Sequence, residues 1–258
     1  MRALILGGTR EARDLAKRLV EAGDDVVSSL AGRVKNPALP AGEVRIGGFG
    51  GPEGLAAWIK DNNIDILIDA THPFAEKISR SAATATATTG TPLVLLHRPA
   101  WEKQPGEKWI EVSSMDEAAA EASTFGTVLL TIGRQKLASF APYAATHFVI
   151  RCVDEPEVAL PPDHEIIYSR GPFTEEGEEQ LQRESRVQAL VTKNSGGGLT
   201  HAKLIAAKKL GIPVIIVQRP PLPALEDTSK RPVRVTHTAD EAFDALATLR
   251  KSGKPSRG

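Results

Sequence analysis

Residues 1–12 read MRALILGGTREA: a compact apolar run at 3–6, two glycines, a threonine, then a charged stretch. A short apolar strand running straight into glycines and a helix is the opening unit of a nucleotide-binding α/β fold. Glycine lets the backbone approach a phosphate, and the helix start offers free amides and a partial positive charge to a diphosphate. The match to G-x-G-x-x-G is imperfect, because Ala12 stands where a late small residue is wanted. A tight βα turn without a ligand would look the same. Beyond the turn, Ala12, Leu15, Ala16, Leu19 and Val20 share one helical face, and Gly23 is a stop signal.

The alternation continues along the chain. Pro52 and Glu53 start a helix with Leu55, Trp58 and Ile59 on its apolar side. Residues 64–70 (IDILIDA) read as a buried strand, and Ala75, Ile78, Ser79, Ala82 and Ala83 mark the helix after it. Strands alternating with helices imply a parallel sheet covered on both faces.

The chain also repeats itself. TPLVLLHRP at 91–99 is similar to IPVIIVQRP at 212–220, each after a helix that ends in glycine, Gly90 or Gly211. VSSMDEA at 112–118 is similar to VTHTADEA at 235–242. Both carry a capping box, Ser114 with Glu117 and Thr238 with Glu241. Thr71 after one strand matches Thr192 after another, and TVLLTI at 127–132 with Gly133 echoes the N-terminal strand. The expectation is α/β with two Rossmann-like parallel-sheet domains and the active site in the cleft between them. Residues 1–125 would bind the nucleotide; residues 126–258 would bind substrate and end in a frayed tail over 251–258.

Composition limits the functions. Of 258 residues, 41% are hydrophobic and 25% charged, as in an ordinary globular protein. Lys plus Arg and Asp plus Glu are both 32, so no net charge draws the chain to nucleic acid or membrane. Anionic ligands must be held by local basic clusters. Cys152 is the sole cysteine, which excludes an internal disulfide and a CxxC zinc pair. No signal-peptide pattern opens the sequence, and no apolar run reaches the ~18 residues of a membrane span. A cytoplasmic enzyme, monomeric or weakly homo-oligomeric, is expected.

The second strand bears on the cofactor. NAD sites place Asp or Glu there to bind the ribose hydroxyls. Here 26–33 reads VVSSLAGR, so hydroxyls and an arginine stand in place of an acid. Ser28, Ser29 and Arg33 suit a 2′-phosphate, which favours NADPH over NADH. Gly47, Gly48 and Phe49 open a loop with four glycines in five positions, where backbone could pass close to a nicotinamide ribose. Thr71 and His72 follow the fourth strand, at a sheet edge that faces the ligand crevice. His72 could orient a ligand or supply a proton, although a lone histidine is more often a hydrogen-bonded structural residue.

The second half carries an anion-binding loop by composition: Thr192, Lys193, Asn194, Ser195 and Gly196, with Lys203 on the next helix. It lacks the GK[ST] order of an ATP-binding P-loop. Arg134 and Arg170 stand at two other strand ends. Together they suggest a basic pocket for a polycarboxylate. No metal ligand set and no catalytic acid is identified.

GGTREA, IGGFGGPEGL, DATHPFA, HRPAW, TIGRQ, SRGPF and TKNSGGG occur here in one order along nearly the whole chain. In this the chain resembles the precorrin-6A reductase family of cobalamin biosynthesis. The resemblance implies NADPH-dependent reduction of a double bond in the corrin-forming macrocycle precorrin-6A, giving precorrin-6B; a close branch acts on the cobalt-containing intermediate. It further implies that Gly7, Gly8, Thr9, Arg10 and Glu11 lie at the cofactor. Thr192 to Gly196, with Arg134 and Arg170, would meet the carboxylate arms of the tetrapyrrole. Arg10 departs from the family pattern, where a small residue is common. Three other readings stand beside this one. A reductase or epimerase of smaller substrates usually needs a Tyr–Lys pair, and neither Tyr143 nor Tyr168 sits in YxxxK. A dinucleotide sensor would bind NADPH without turnover, and a methyltransferase would have no use for a 2′-phosphate pocket.

Overall fold

The computed structural model describes residues 1–32, 38–225 and 231–252. It divides into two compact units, Met1–Pro99 with Pro220–Gly258, and Ala100–Arg219. Twelve strands occur among the described residues: β1 (Arg2–Leu6), β2 (Asp25–Leu30), β3 (Glu43–Ile46), β4 (Ile66–Asp69), β5 (Leu93–Leu96), β6 (Trp109–Val112), β7 (Thr127–Leu130), β8 (His147–Cys152), β9 (His164–Tyr168), β10 (Ala189–Lys193), β11 (Val214–Val217) and β12 (Val233–Thr236). They form two six-stranded sheets, β12-β5-β4-β1-β2-β3 and β6-β11-β10-β7-β8-β9. Every pairing is parallel. In each sheet the order reverses beside the first strand of its half, between β1 and β4 and between β7 and β10, as in a doubly wound nucleotide fold.

Strand alternation explains the layering of the first unit. Ala3, Ile5, Ile66, Ile68 and Val94 face α1 (Arg10–Glu21) and α7 (Ala239–Ser252) through Leu15, Leu19, Ala242 and Leu246. Leu4, Leu6, Val27, Leu67, Leu93 and Leu95 face the opposite way. They meet α2 (Pro52–Asp61) and α3 (Glu76–Thr89) through Leu55, Ile59, Ala82 and Ala85. Each such Leu or Ile, fully buried, contributes about 1.5–3 kcal/mol relative to exposure. In the second unit, Leu129, Val149, Leu190, Val214 and Ile216 pack on Leu181 of α5 (Glu175–Glu184) and Leu204 and Ala207 of α6 (Ala202–Leu210). The remaining α-helix among the described residues, α4 (Met115–Ala122), buries Ala118, Ala119 and Ala122, and a short 3-10 helix spans Arg134–Phe140. Among the described residues no helix is long and apolar enough to cross a membrane.

The repeat is real in its local details. Gly90 and Gly211 both close their helices in the left-handed conformation, at φ 74° and 69°. Ser114 Oγ accepts from the Glu117 amide at 3.1 Å, and Thr238 Oγ1 accepts from the Glu241 amide at 3.1 Å. Both glutamates return their carboxylate one residue before the cap, to the amides of Ser113 and His237, each at 2.8 Å.

The expected division near residue 125 marks the repeat and not the compact units. The sixth strand of each sheet comes from the other half of the chain. β6 joins β11, with Val214 opposite Trp109, and β12 joins β5, with Val233 opposite Leu93. The helix after each strand travels with it. Ala242 and Leu246 of α7 complete the core beneath α1, and Arg18 of α1 pairs with Asp240 and lies over the Phe243 ring. The chain therefore leaves the first unit after Pro99 and returns at Pro220. Of the tail expected at 251–258, residues 251–252 belong to α7 and the rest lies outside the described residues.

Candidate functional site

In the first unit, the turn from β1 to α1 stands at the reversal of strand order, and one hydroxyl sets its shape. Thr9 caps α1: its Oγ1 accepts from the Ala12 amide at 3.1 Å and donates to the Ala70 carbonyl at 2.8 Å. The cap thereby ties the turn to the end of β4. The amides of Arg10 and Glu11, in the first helical turn, are left as outward donors. The Gly7 amide donates to the Ser29 carbonyl at 3.0 Å. Gly8 has φ +110°, and no atom lies within 4 Å of where its Cβ would stand. Glycine is required there by conformation, and the space above it is open to a ligand. Arg10 turns along the helix to Asp14 at 3.4 Å and is exposed. Glu11 accepts from Arg98 at 2.9 Å, so an arginine from the end of β5 neutralises the acid beside the turn. Arg98 was not singled out from sequence, although it sits in the repeated strand–x–Arg–Pro pattern.

At the ends of β2 and β3 the two expected serines stand beside a further cation, Arg45. Ser28 is buried, and its Oγ has no hydrogen-bond partner among the described residues. Ser29 is also buried, and its Oγ accepts from Arg45 at 3.3 Å. Arg45 donates further to the carbonyls of Gly47 and Gly48, both at 2.7 Å, and lies 3.9 Å over the Phe49 ring. Gly47 and Gly48 thus serve as acceptors for a cation, and Phe49 packs edge-on to Trp58. The loop lies close over α2: a Cβ on Gly54 would come within 1.8 Å of the Phe49 carbonyl. Arg33 lies outside the described residues. The missed cation, Arg45, was legible only as a charge in the strand EVRI just before the glycine loop.

The end of β4 is ordered by Asp69. Its Oδ1 accepts from the Thr71 amide at 3.1 Å and the Thr71 hydroxyl at 2.7 Å. His72 Nδ1 accepts from the Phe74 amide at 3.2 Å. Asp69, Thr71, His72, Glu76, His97 and Leu222 line a shallow recess in this unit.

In the second unit, Thr192, Lys193, Asn194, Ser195 and Gly196 leave β10 at the corresponding reversal. Thr192, Asn194 and Ser195 are buried, and Gly196 has φ +64°. Asn194 braces the loop: its Oδ1 accepts from the Trp101 amide at 2.8 Å and its Nδ2 donates to the Trp101 carbonyl at 3.1 Å. Arg219 donates to the Asn194 carbonyl at 2.6 Å. Trp101 Nε1 reaches the Gly197 carbonyl at 3.0 Å. The Asn194 amide therefore shapes the site and faces Trp101 instead of a ligand.

Lys203, in the first turn of α6, is 3% exposed, and its ammonium lies 5.3 Å from the Trp101 ring centre. Burial lowers its pKa to about 7, helped by the charges of Arg151 and Lys193 and opposed by Glu178. Arg151 and Glu178 form a buried ion pair, and Arg151 lies 3.9 Å over the Phe173 ring. Arg134 follows β7, the neighbour of β10, and donates to the Glu155 carbonyl at 2.9 Å. Exposed Arg170 follows the edge strand β9, but the segment after it folds back: a Cβ on Gly171 would lie 3.8 Å from the Leu199 carbonyl. The loop, Lys203 and the Arg170 segment converge, and Arg134 stands at the adjoining strand end.

Comparison with known proteins agrees with this construction. The family model described as precorrin-6x reductase CbiJ/CobK matches residues 2–247. A precorrin-6A reductase of Rhodococcus erythropolis is 52% identical over 248 residues, covering 95% of this chain and 96% of the relative. A precorrin-6A reductase of Mycobacterium tuberculosis is 51% identical, covering 86% and 91%. A solved structure of CobK precorrin-6A reductase superposes with a TM-score of 0.88 at 39% identity, covering 100% of this chain and 99% of that one. This chain belongs to the precorrin-6x reductase CbiJ/CobK family.

Proposed function

We propose that this protein is an oxidoreductase that reduces a ring double bond of precorrin-6A to give precorrin-6B in cobalamin biosynthesis, with NADPH as donor. The observation that carries the reading is the pairing of two unlike loops at equivalent places in two Rossmann-type sheets. The β1 turn has an open glycine and outward amides, which fit a diphosphate. The β10 loop has a buried lysine, which fits carboxylate arms. When bound, the nicotinamide supplies the hydride. The protein's part is to hold the two reactants in register. Thr9 fixes the turn, Arg98 offsets the charge of Glu11, and Asn194 holds the substrate loop in shape. Lys203 and Arg134 supply positive charge for the macrocycle's carboxylates.

NADPH is favoured over NADH because no carboxylate ends β2, where an NAD site would hold one. The metal-free substrate is favoured because the relatives named for it are 43–52% identical. Those named for the cobalt form are 29–33% identical. A cytoplasmic enzyme, monomeric or weakly homo-oligomeric, fits a reaction between two small diffusible reactants.

The test is to titrate the protein with NADPH and with NADH, with and without precorrin-6A, following nicotinamide absorbance. Oxidation of NADPH that requires the tetrapyrrole, and is much weaker with NADH, is expected. Tight NADPH binding without oxidation by either precorrin-6A or its cobalt form would overturn the reductase reading.

A further inference from the structure

We infer that Arg45 recognises the 2′-phosphate of the dinucleotide and sets the preference for NADPH over NADH. The inference rests on the proposed reading that the first unit binds NADPH. In a dinucleotide fold the ribose adjoining the adenine lies at the end of the second strand. Here that strand ends at Ser28, Ser29 and Leu30, and β3 beside it presents Arg45, whose neighbour across the pair is Ser29.

The state of this arginine points to an anion. Arg2, Arg10, Arg18, Arg80, Arg98, Arg134, Arg151 and Arg183 each meet a carboxylate. Arg45, like Arg13 and Arg186, meets none among the described residues, and what sets Arg45 apart is its fixed seat at the end of β2 and β3. It is held by neutral groups, the Ser29 hydroxyl and the Gly47 and Gly48 carbonyls, with Phe49 against one face of the guanidinium. Those bonds engage three of its donors, two on Nη1 and one on Nη2. The Nε–H and one Nη2–H have no acceptor among the described residues. A guanidinium partly withdrawn from water, fixed in orientation and lacking a counter-charge is arranged for a phosphate arriving from outside. Ser29 is then a positioning residue, because its hydroxyl fixes the guanidinium and is itself buried.

The reach of the loop gives the same answer. Arg45, Gly47, Gly48 and Phe49 form one local assembly, in which the two glycine carbonyls hold the cation beside the end of β2.

The experiment is calorimetric titration of the full chain with 2′,5′-ADP and with 5′-ADP, which share an adenosine and differ in the 2′-phosphate. Wild type should prefer 2′,5′-ADP. Arg45→Gln should weaken 2′,5′-ADP by about 10- to 100-fold, the range of a charge-assisted hydrogen bond or two, and leave 5′-ADP unchanged. Arg45→Lys should recover part of the preference, and Arg33→Gln should retain it. A wild type that binds neither nucleotide, or both equally, would sink the NADPH reading itself. A wild-type preference that survives Arg45→Gln, or is lost in Arg33→Gln instead, would overturn only the role of Arg45. Equal loss of both nucleotides in Arg45→Gln, with no rescue by lysine, would make Arg45 a brace of the glycine loop and overturn the inference. Thermal melts of each variant establish that it is folded.

Discussion

Replacing Lys203 with methionine is expected to stabilise the protein near neutral pH while weakening its hold on anions. The side chain is 3% exposed, and burial lowers its pKa from 10.5 to about 7, with Arg151 adding to the fall and Glu178 resisting it. In the unfolded chain the same amine keeps its ordinary value. Between these two values the unfolded state holds one proton more than the folded state, so stability rises with pH. Below pH 7 the penalty for the buried charge is present in full, and it is relieved as pH climbs toward 10.5. A shift of this size corresponds to about 5 kcal/mol in all, of which about 2.5 kcal/mol falls between about pH 7.5 and 9.5. Methionine fills much of the same volume and carries no proton. Urea unfolding of wild type and Lys203→Met, without ligand, would be followed by tryptophan fluorescence across that interval. The stability difference should move by about 2.5 kcal/mol in favour of wild type as pH rises. At neutral pH the variant should lead by about 1–4 kcal/mol, the usual gain when a buried charge gives way to an apolar group. Other titrating groups cancel in the subtraction. A difference that stays flat with pH would refute the buried, desolvated lysine. A variant less stable than wild type at pH 7 would show that the contact with Trp101 outweighs the desolvation.

Three other perturbations draw on the same geometry. A carboxylate arriving at Lys203 raises its pKa, so precorrin-6A binding near pH 8 should take up a proton. Calorimetry in buffers of different ionisation enthalpy would detect it, and equal heats in all buffers would count against contact with Lys203. Thr9→Val removes the α1 cap and its bond to Ala70, and should cost about 1–2 kcal/mol in urea unfolding and weaken NADPH binding. Unchanged stability would mean that water replaces the hydroxyl. Arg151→Met leaves Glu178 buried without its partner and should cost about 3–5 kcal/mol, whereas the Arg151→Met/Glu178→Leu double variant should recover most of the loss. A mild single variant would show that the pair is hydrated.

Much of the fold was legible in short stretches of sequence. The run ALIL followed by two glycines and a helix-period face forms β1, the Thr9-capped turn and α1. Gly90 and Gly211 end helices, and Ser114 and Thr238 begin them, because a cap depends on a few adjacent residues. The sites were legible in part. TKNSGGG does form a loop at a strand end beside a buried lysine, but the destination of its Asn194 amide was not predictable. That amide meets Trp101, far away in sequence. Arg98 on Glu11 and Arg45 on Ser29 were missed for the same reason, since each partner comes from a different strand or turn.

By itself the sequence determined the alternation of strands and helices, the parallel sheets, the internal repeat, the glycine turn and the family. Only the tertiary structure decided that β6 and β12 are exchanged between the halves. The edges they complete, LVLL in β5 and VIIV in β11, are nearly the same apolar surface, so no local signal distinguishes the two partners. The helix attached to each strand makes the choice. α7 has Ala242 and Leu246 to bury beneath α1.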